Sequence, residues 1–230
     1  MQDKNRNIEW FYRDYINTYL ERDVKKIINI KDELLFKKFL ICLAARTGQL
    51  LVYEDISDDL GVAVNTVRSW VSLVAQTGII RIINTYQNNL LNRIIKTPKI
   101  YFMDTGLVCY LGGWKTKEQC ANGAMSGHLF ETFVVSEICK SFLNAGKTLD
   151  SIYYYRDKEK KEIDLIIEDG NDIYPIEIKS AATINNDWKK HNNILSKIKN
   201  KNIKPFTIVC NVSEYIKLSD NVNVIPYMFI

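Results

Sequence analysis

The chain has 230 residues, of which 47% are hydrophobic and 25% are charged. This balance is typical of a globular protein that buries one or two cores, and it excludes a disordered or fibrous chain. No apolar run approaches the length of a transmembrane helix, and the first ten residues lack the apolar core of a signal peptide. We therefore expect a cytoplasmic protein with no membrane partner.

The charge is unevenly distributed, although the net value of +4 is too small by itself to indicate nucleic acid. Residues 1–116 contain 16 Lys and Arg against 12 Asp and Glu, whereas residues 117–230 contain 15 of each. Four cations and no acidic residue lie between Arg81 and Lys99. The five cysteines are scattered, which favours buried reduced thiols over a zinc site or a disulfide framework.

The N-terminal half is dominated by helical periodicity. Apolar spacing predicts one amphipathic helix over residues 8–28 and a second from Asp32, which can cap it, to about Arg46. The segment Tyr53–Val71 predicts a helix-turn-helix, in which Gly61 tolerates the positive φ that the tight turn requires. Two strands follow around a loop rich in Asn and Lys, at residues 81–84 and 99–103. We interpret residues 1–111 as an all-helical winged helix-turn-helix domain.

A winged helix would place the start of its second helix in the DNA major groove and its basic loop on the phosphate backbone. The predicted DNA-binding residues are Asn65, Thr66, Arg68, Ser69, Arg93, Lys96 and Lys99. Only one of the four helix residues among them is cationic, and Asp58 and Asp59 precede the turn. A small helical domain used for protein contact is therefore the alternative interpretation.

The second half changes character after residues 112–126, a Gly-rich segment that predicts the boundary of a domain over residues 127–230. The apolar patterns predict a helix at 128–144 and three strands at 152–156, 162–168 and 173–179. Asp169-Gly170-Asn171-Asp172 is a hairpin turn signal between the last two strands. A helix at 187–199 and strands at 206–211 and 222–227 complete the predicted mixed-sheet domain.

Four charged residues in this domain have the order and spacing of a metal-dependent phosphodiesterase site. Glu131 lies on the helix, Asp164 on the middle strand, and Glu177 and Lys179 on one face of the next strand. Carboxylates can hold Mg²⁺, with the carbonyl of Ile178 as a further ligand, and the metal lowers the pKa of a bound water. The lysine can orient that water or offset charge at phosphorus. The alternative is a sheet surface whose charges face solvent or pair weakly.

Several segments resemble the C-terminal region of a large prokaryotic family of predicted AAA-superfamily ATPases. These are YINTYLERDV, LAARTGQLL, IIKTPKIYFMDTGLVCYL, GHLFETFVVSEI and EIDLIIEDG with YPIEIKS. In that family an ATPase core precedes a domain of unknown function. These residues contain no P-loop, so we assign them no nucleotide site and expect an ATPase module as partner, in the same chain or a separate one.

The helix Gly127-x-x-x-Glu131, Asp164 and Glu177-x-Lys179 also resemble the site of archaeal Holliday junction resolvases, which are PD-(D/E)XK nucleases. The resemblance implies that Glu131, Asp164 and Glu177 are metal ligands and that Lys179 is the catalytic lysine. Ile163 stands where that motif has proline. The expected fold class is therefore α+β or α/β, a winged helix-turn-helix followed by a restriction-endonuclease-like mixed sheet.

Three functions fit these patterns. The first is a DNA-binding protein with a Mg²⁺-dependent endonuclease domain that accompanies an AAA-type ATPase. The second is an inactive nuclease-like fold that serves the ATPase as a DNA-binding or oligomerisation module. The third is a protein-interaction adaptor that contacts no nucleic acid. Salt-dependent DNA binding separates the third from the others, and divalent-metal binding separates the first from the second.

Overall fold

The computed structural model describes residues 8–24, 32–86, 97–156, 161–185 and 200–230. Its helices are α1 (Ile8–Tyr19, continued by a π-helical turn over Leu20–Val24), α2 (Glu33–Ala44), α3 (Tyr53–Leu60), α4 (Val64–Gln76), α5 (Thr105–Leu111), α6 (Lys117–Asn122) and α7 (Ser126–Asn144), with a 3-10 turn at Tyr227–Phe229. Its strands are β1 (Gln49–Leu50), β2 (Ile80–Thr85), β3 (Lys99–Phe102), β4 (Ile152–Arg156), β5 (Glu162–Asp169), β6 (Asp172–Lys179), β7 (Asn202–Ile203), β8 (Phe206–Cys210), β9 (Ile216–Ser219) and β10 (Val222–Pro226).

The N-terminal helices begin and end where their local chemistry predicts. Asp32 caps α2, since its side chain accepts a hydrogen bond from the backbone N–H of Leu35. Gly61 adopts the left-handed conformation with φ of 65° and ends α3, and α4 begins three residues later. The first predicted helix is present from Ile8, and its α-helical part ends at Tyr19, where the π-helical turn to Val24 continues it. Residues 25–31 lie outside the described part of the chain.

The strands of both halves join one sheet in the order β1-β3-β2-β4-β5-β6-β8-β10-β9, with β7 beside β6. Strands β2 and β3 confirm the two strands predicted at residues 81–84 and 99–103, and β1 is a further strand that pairs with β3, so the N-terminal half is mainly but not entirely helical. The two halves meet where β2 runs parallel to β4, with Asn84 opposite Tyr153. The two-residue strand β1 is too short to show the period-2 alternation that predicts a strand.

The C-terminal half is a mixed parallel and antiparallel sheet, as predicted. The hairpin between β5 and β6 is confirmed, with Asp169 opposite Asp172 and Gly170 at φ of 58°. The strand β9 was missed, and residues 117–122 form the helix α6 inside the predicted boundary segment. The predicted helix at 187–199 lies outside the described residues. The domain division between residues 111 and 127 stays a prediction.

Buried side chains form three clusters that position the site. The first fills the N-terminal helices around Phe36, Phe39 and Trp70. The second lies between α7 and one face of the sheet, and it includes Tyr101 and Tyr154. The third lies on the opposite face. No helix in the described segments is both long and apolar enough to cross a membrane.

Candidate functional site

A buried group of ionisable side chains lies where β3, β5 and α7 meet. The Lys99 ammonium is 2.9 Å from a carboxylate oxygen of Glu131 and 2.5 Å from one of Glu162. Burial by itself would lower the pKa of Lys99, but attraction by Glu131, then Glu162 and Asp164, outweighs burial and raises it. Lys99 is therefore a permanent internal cation.

Glu131 also accepts a hydrogen bond from the hydroxyl of Tyr101, with an O–O distance of 2.6 Å. Burial, followed by the nearby Glu131 carboxylate, raises the pKa of Tyr101 well above its ordinary value, so this phenol stays protonated and acts as a donor. The Nδ1 atom of His128 lies 3.9 Å from Glu131, too far for a hydrogen bond. Burial and repulsion by Lys99 lower the pKa of His128, so this histidine is neutral at pH 7 and forms no ion pair.

The Asp164 carboxylate lies next to the end of the β5–β6 pairing. The β5–β6 ladder runs from Asp169/Asp172 to Leu165/Ile176, and beyond it the Asp164 side chain accepts a hydrogen bond of 2.7 Å from the backbone N–H of Ile178. Burial, then repulsion by Glu131, raises the pKa of Asp164 to about 7. This carboxylate is therefore partly protonated at neutral pH.

The side chains of Glu177 and Lys179 leave β6 on the face of the sheet that is opposite to α7. Their neighbours Ile176 and Ile178 belong to the cluster against α7, so alternation directs Glu177 and Lys179 toward the opposite face, beside Ile208. The Lys179 ammonium contacts the Glu177 carboxylate directly. Burial would lower the pKa of Lys179, but Glu177, then Asp164 and Glu131, raise it, so the four predicted residues share one electrostatic neighbourhood.

The predicted magnesium ligands are therefore close in space, but they lie on opposite faces of the sheet and contact different lysines. Lys99 neutralises Glu131, and Lys179 neutralises Glu177 on the opposite face. In the described segments, no group of three or more Asp, Glu, His or Cys side chains is arranged so that it could hold a metal ion. The Ile178 N–H, rather than its carbonyl, contacts Asp164. Magnesium binding stays a prediction, and these residues as arranged do not fit the ion.

The start of α4 forms a second candidate site. Asn65, Arg68 and Ser69 are exposed and Thr66 is half-buried, whereas Val67 and Trp70 face the core. The Arg68 guanidinium lies 4.2 Å from the centre of the Tyr53 ring and 3.7 Å from Glu54. The four predicted residues thus lie within the first turns of α4 on its accessible side, and the buried side chains of Val67 and Trp70 hold the helix in place.

The basic loop is placed only in part. Arg93 and Lys96 lie outside the described residues. The DNA contact predicted for Lys99 does not fit the structure, because this side chain is 5% exposed and lies between two carboxylates. The physical reason is the alternation of side chains along β3. Lys99 and Tyr101 alternate with Ile100 and Phe102, so Lys99 and Tyr101 both face α7.

Sequence reasoning missed Lys99, Tyr101 and Glu162 as members of the buried cluster. Lys99 and Tyr101 lie in the segment KIYF, and the one signal in the sequence is that the lysine stands among apolar and aromatic residues. A lysine is rarely fully buried unless it is paired. The identity of its partners, on α7 and β5, depends on tertiary contacts that no local pattern contains.

Fold and cluster together define a mixed α+β protein with N-terminal helices and a buried charge cluster under its sheet. Residues 1–118 match a family model described as a domain of unknown function (DUF8612), and the chain belongs to this family. Residues 126–230 match a second domain of unknown function (DUF4143), one that is commonly found with AAA ATPases.

Two curated relatives match the chain, the uncharacterised proteins Rv2008c of Mycobacterium tuberculosis and Mb2031c of Mycobacterium bovis. Each is 28% identical over 173 residues, which is 75% of this chain and 38% of the relative. The matched region thus spans well under half the length of these relatives. No solved structure matches.

Proposed function

We propose that this chain is the DNA-binding, non-catalytic region of an AAA-type ATPase. In this proposal a winged helix binds duplex DNA, and a nuclease-like sheet serves as the platform that holds it. The ATPase partner is inferred from the second family match, since that domain is commonly found with AAA ATPases.

The observation that carries DNA binding is the exposed start of α4. The element order α2, β1, α3, α4, β2, β3, with β1 and β2 both antiparallel to β3, supports the winged-helix part of the proposal. In such folds the helix after the tight turn enters the major groove by its first residues. Those residues here are Asn65, Thr66, Arg68 and Ser69, whose amide, hydroxyl and guanidinium groups suit base edges and phosphates.

The connection between β2 and β3 supports the same surface by its charge. In sequence it contains Arg93 and Lys96 and no acidic residue. A positively charged wing would contact the backbone without reading sequence. The cations of α4 and of this connection would together give salt-dependent binding, because each phosphate that they neutralise releases counterions.

The buried cluster supports a structural rather than a hydrolytic role for the sheet. A metal-dependent nuclease needs carboxylates that are free to bind a cation, whereas here Lys99 contacts both Glu131 and Glu162, and Lys179 contacts Glu177. Lys99 belongs to the β2–β3 hairpin and Glu131 to α7, so their ion pair ties the winged helix to the second half.

DNA binding is tested by fluorescence anisotropy with a labelled duplex over a series of salt concentrations. We expect wild-type binding to weaken steeply with salt, and Arg68→Ala to flatten the slope by about one unit. Arg13→Ala removes an equally exposed arginine from α1 and is the matched control. A wild-type protein without salt-dependent binding would support the protein-interaction adaptor instead.

The non-catalytic role is tested by calorimetry with Mg²⁺ and Mn²⁺ and by incubation with duplex and branched DNA. We expect neither metal binding nor cleavage from the wild-type protein at millimolar metal. Cleavage that Asp164→Asn and Lys179→Ala both abolish would establish the endonuclease and overturn this part of the proposal.

A further inference from the structure

Two cysteine thiols face each other outside the charged cluster and the DNA-binding surface. Cys109 lies on α5 and Cys120 on α6, and their sulfur atoms are 3.2 Å apart. Both side chains are half-buried and in the reduced form. A disulfide bond has a sulfur–sulfur distance of about 2.05 Å, so the two atoms need to approach by only about 1.1 Å to bond.

The connection between the two helices holds this geometry. Gly113 adopts a positive φ of 72° just after α5, and the backbone N–H of Trp114 donates to the carbonyl of Cys109. The capping box of Thr116 and Gln119 fixes the start of α6, so that Cys120 follows in its first turn. The thiols are therefore brought together by local backbone structure and not by a chance rotamer.

Small reactants can reach the pair from solvent. Both cysteines line an open cavity of about 1150 Å³ between α1, α2, α5 and α7. Its walls near the thiols include Tyr110 and Trp114, and its volume exceeds that of a tripeptide. By contrast, Cys139 and Cys210 are fully buried.

We propose that Cys109 and Cys120 form a dithiol–disulfide site that exchanges with small disulfides such as oxidised glutathione. The thiolate of one cysteine attacks a sulfur of oxidised glutathione, one molecule of glutathione leaves as thiolate, and a mixed disulfide forms. The second protein thiol loses its proton and attacks the protein sulfur, and the second glutathione leaves. One protein dithiol and one oxidised glutathione give one protein disulfide and two reduced glutathione molecules, so atoms and electrons balance.

Either thiol can attack first, because both line the cavity and each contacts the other. Burial, then the hydrogen bond with Cys120, raises the pKa of the Cys109 thiol above its ordinary value, and the thiolate is the nucleophile, so exchange through Cys109 should quicken as the pH rises. The product closes a twelve-residue ring (109 to 120) that ends between the segments matched by the two family models, residues 1–118 and 126–230.

The test uses the full chain, oxidised in its folded state in a series of oxidised-to-reduced glutathione ratios and then alkylated and unfolded. We expect the titratable thiols to fall from five to three (5 − 2), with peptide mapping locating the cross-link at Cys109–Cys120. Cys109→Ser and Cys120→Ser should each lose the cross-link and stop at a glutathione adduct on the remaining thiol of the pair, and Cys42→Ser should react like wild type.

Three results would overturn the site. One is a protein that keeps five thiols under the most oxidising ratio. The others are a cross-link or stable adduct that maps elsewhere, and a wild-type protein that stops at the mixed disulfide. Circular dichroism of each variant shows that it is folded, and the wild-type result decides the question even if a serine variant is not.

Discussion

Two charged regions of this molecule use their ionisable residues in opposite ways. At the start of α4 the side chains of Asn65, Arg68 and Ser69 are exposed, and Arg68 lies beside Glu54 and the Tyr53 ring. Beneath the sheet, Lys99 and Glu131 are almost fully buried and satisfied by each other and by Tyr101.

This difference in exposure determines which region is free to bind a ligand. A charge in solvent costs little to expose and gains little from a neighbour, so Arg68 can exchange Glu54 for phosphate. A buried charge depends on its partner, because losing that partner leaves it desolvated and unpaired. The motif that resembles a nuclease site thus lies in the buried region, where lysines of the chain contact its carboxylates, and α4 begins in the accessible region.

The largest effect is expected from Lys99→Met, which removes the internal cation and keeps a long apolar stem. Glu131 then loses its cation, while Glu162 keeps Arg156 at 3.4 Å. Removing one partner of a buried pair costs about 3 to 5 kcal/mol of unfolding free energy, measured by urea denaturation. If Lys99 occupies the place of a metal, Mn²⁺ should recover part of the lost stability.

Lys115→Met is the matched control, since Lys115 pairs with Glu9 and both side chains are more than half exposed. Its cost should be about 1 kcal/mol or less. Equal losses in the two variants would show that the Lys99 pair is no more important than one at the surface.

The second effect concerns Asp164, whose pKa rises from 3.8 to about 7 mainly through burial. A carboxyl that holds its proton more tightly in the folded state favours folding at low pH, and this stabilisation is lost as the pH rises through about 4 to about 7. Relative to Asp164→Asn, the wild-type unfolding free energy should therefore fall across this window. Asp150→Asn, at an exposed carboxyl, should run parallel to wild type. A parallel curve for Asp164→Asn would contradict the raised pKa.

The sequence predicts the local features of both regions but not their contacts. Gly61, the Asp32 cap and the Gly170 hairpin turn follow from backbone chemistry, and the structure confirms each of them. The sequence does not predict that Glu177 and Lys179 lie on a different face of the sheet from Asp164. The pairing of β4 with β5 shifts between Tyr153 and Tyr155, and this irregularity changes which side chains share a face. The burial of Lys99 likewise depends on α7, which lies about thirty residues further on.

A smaller effect is expected at the turn that presents α4. Gly61 has φ of 65°, and an added Cβ would meet no atom within 4 Å, so Gly61→Ala costs only backbone strain, about 1 kcal/mol. Gly127→Ala is the matched control, because this exposed glycine lies in the first turn of α7 and an added Cβ would likewise meet no atom within 4 Å. Alanine there should stabilise by up to about 1 kcal/mol. Thermal unfolding should therefore shift in opposite directions, and a shift in the same direction would contradict the turn assignment.

The smallest effect, and the one that most sharpens the comparison, is expected from Glu54→Gln. Glu54 lies 3.7 Å from Arg68, and its charge competes with phosphate for the guanidinium. Two exposed charges at about 4 Å interact by about 1 kcal/mol in water, so neutralising Glu54 should tighten DNA binding by a few-fold at low salt and change stability little. The Tyr53 ring keeps Arg68 in place in the variant. Anisotropy in the Arg68→Ala background completes the cycle: the gain should disappear there if Arg68 contacts DNA, and an undiminished gain would mean that Glu54 acts on the duplex by itself.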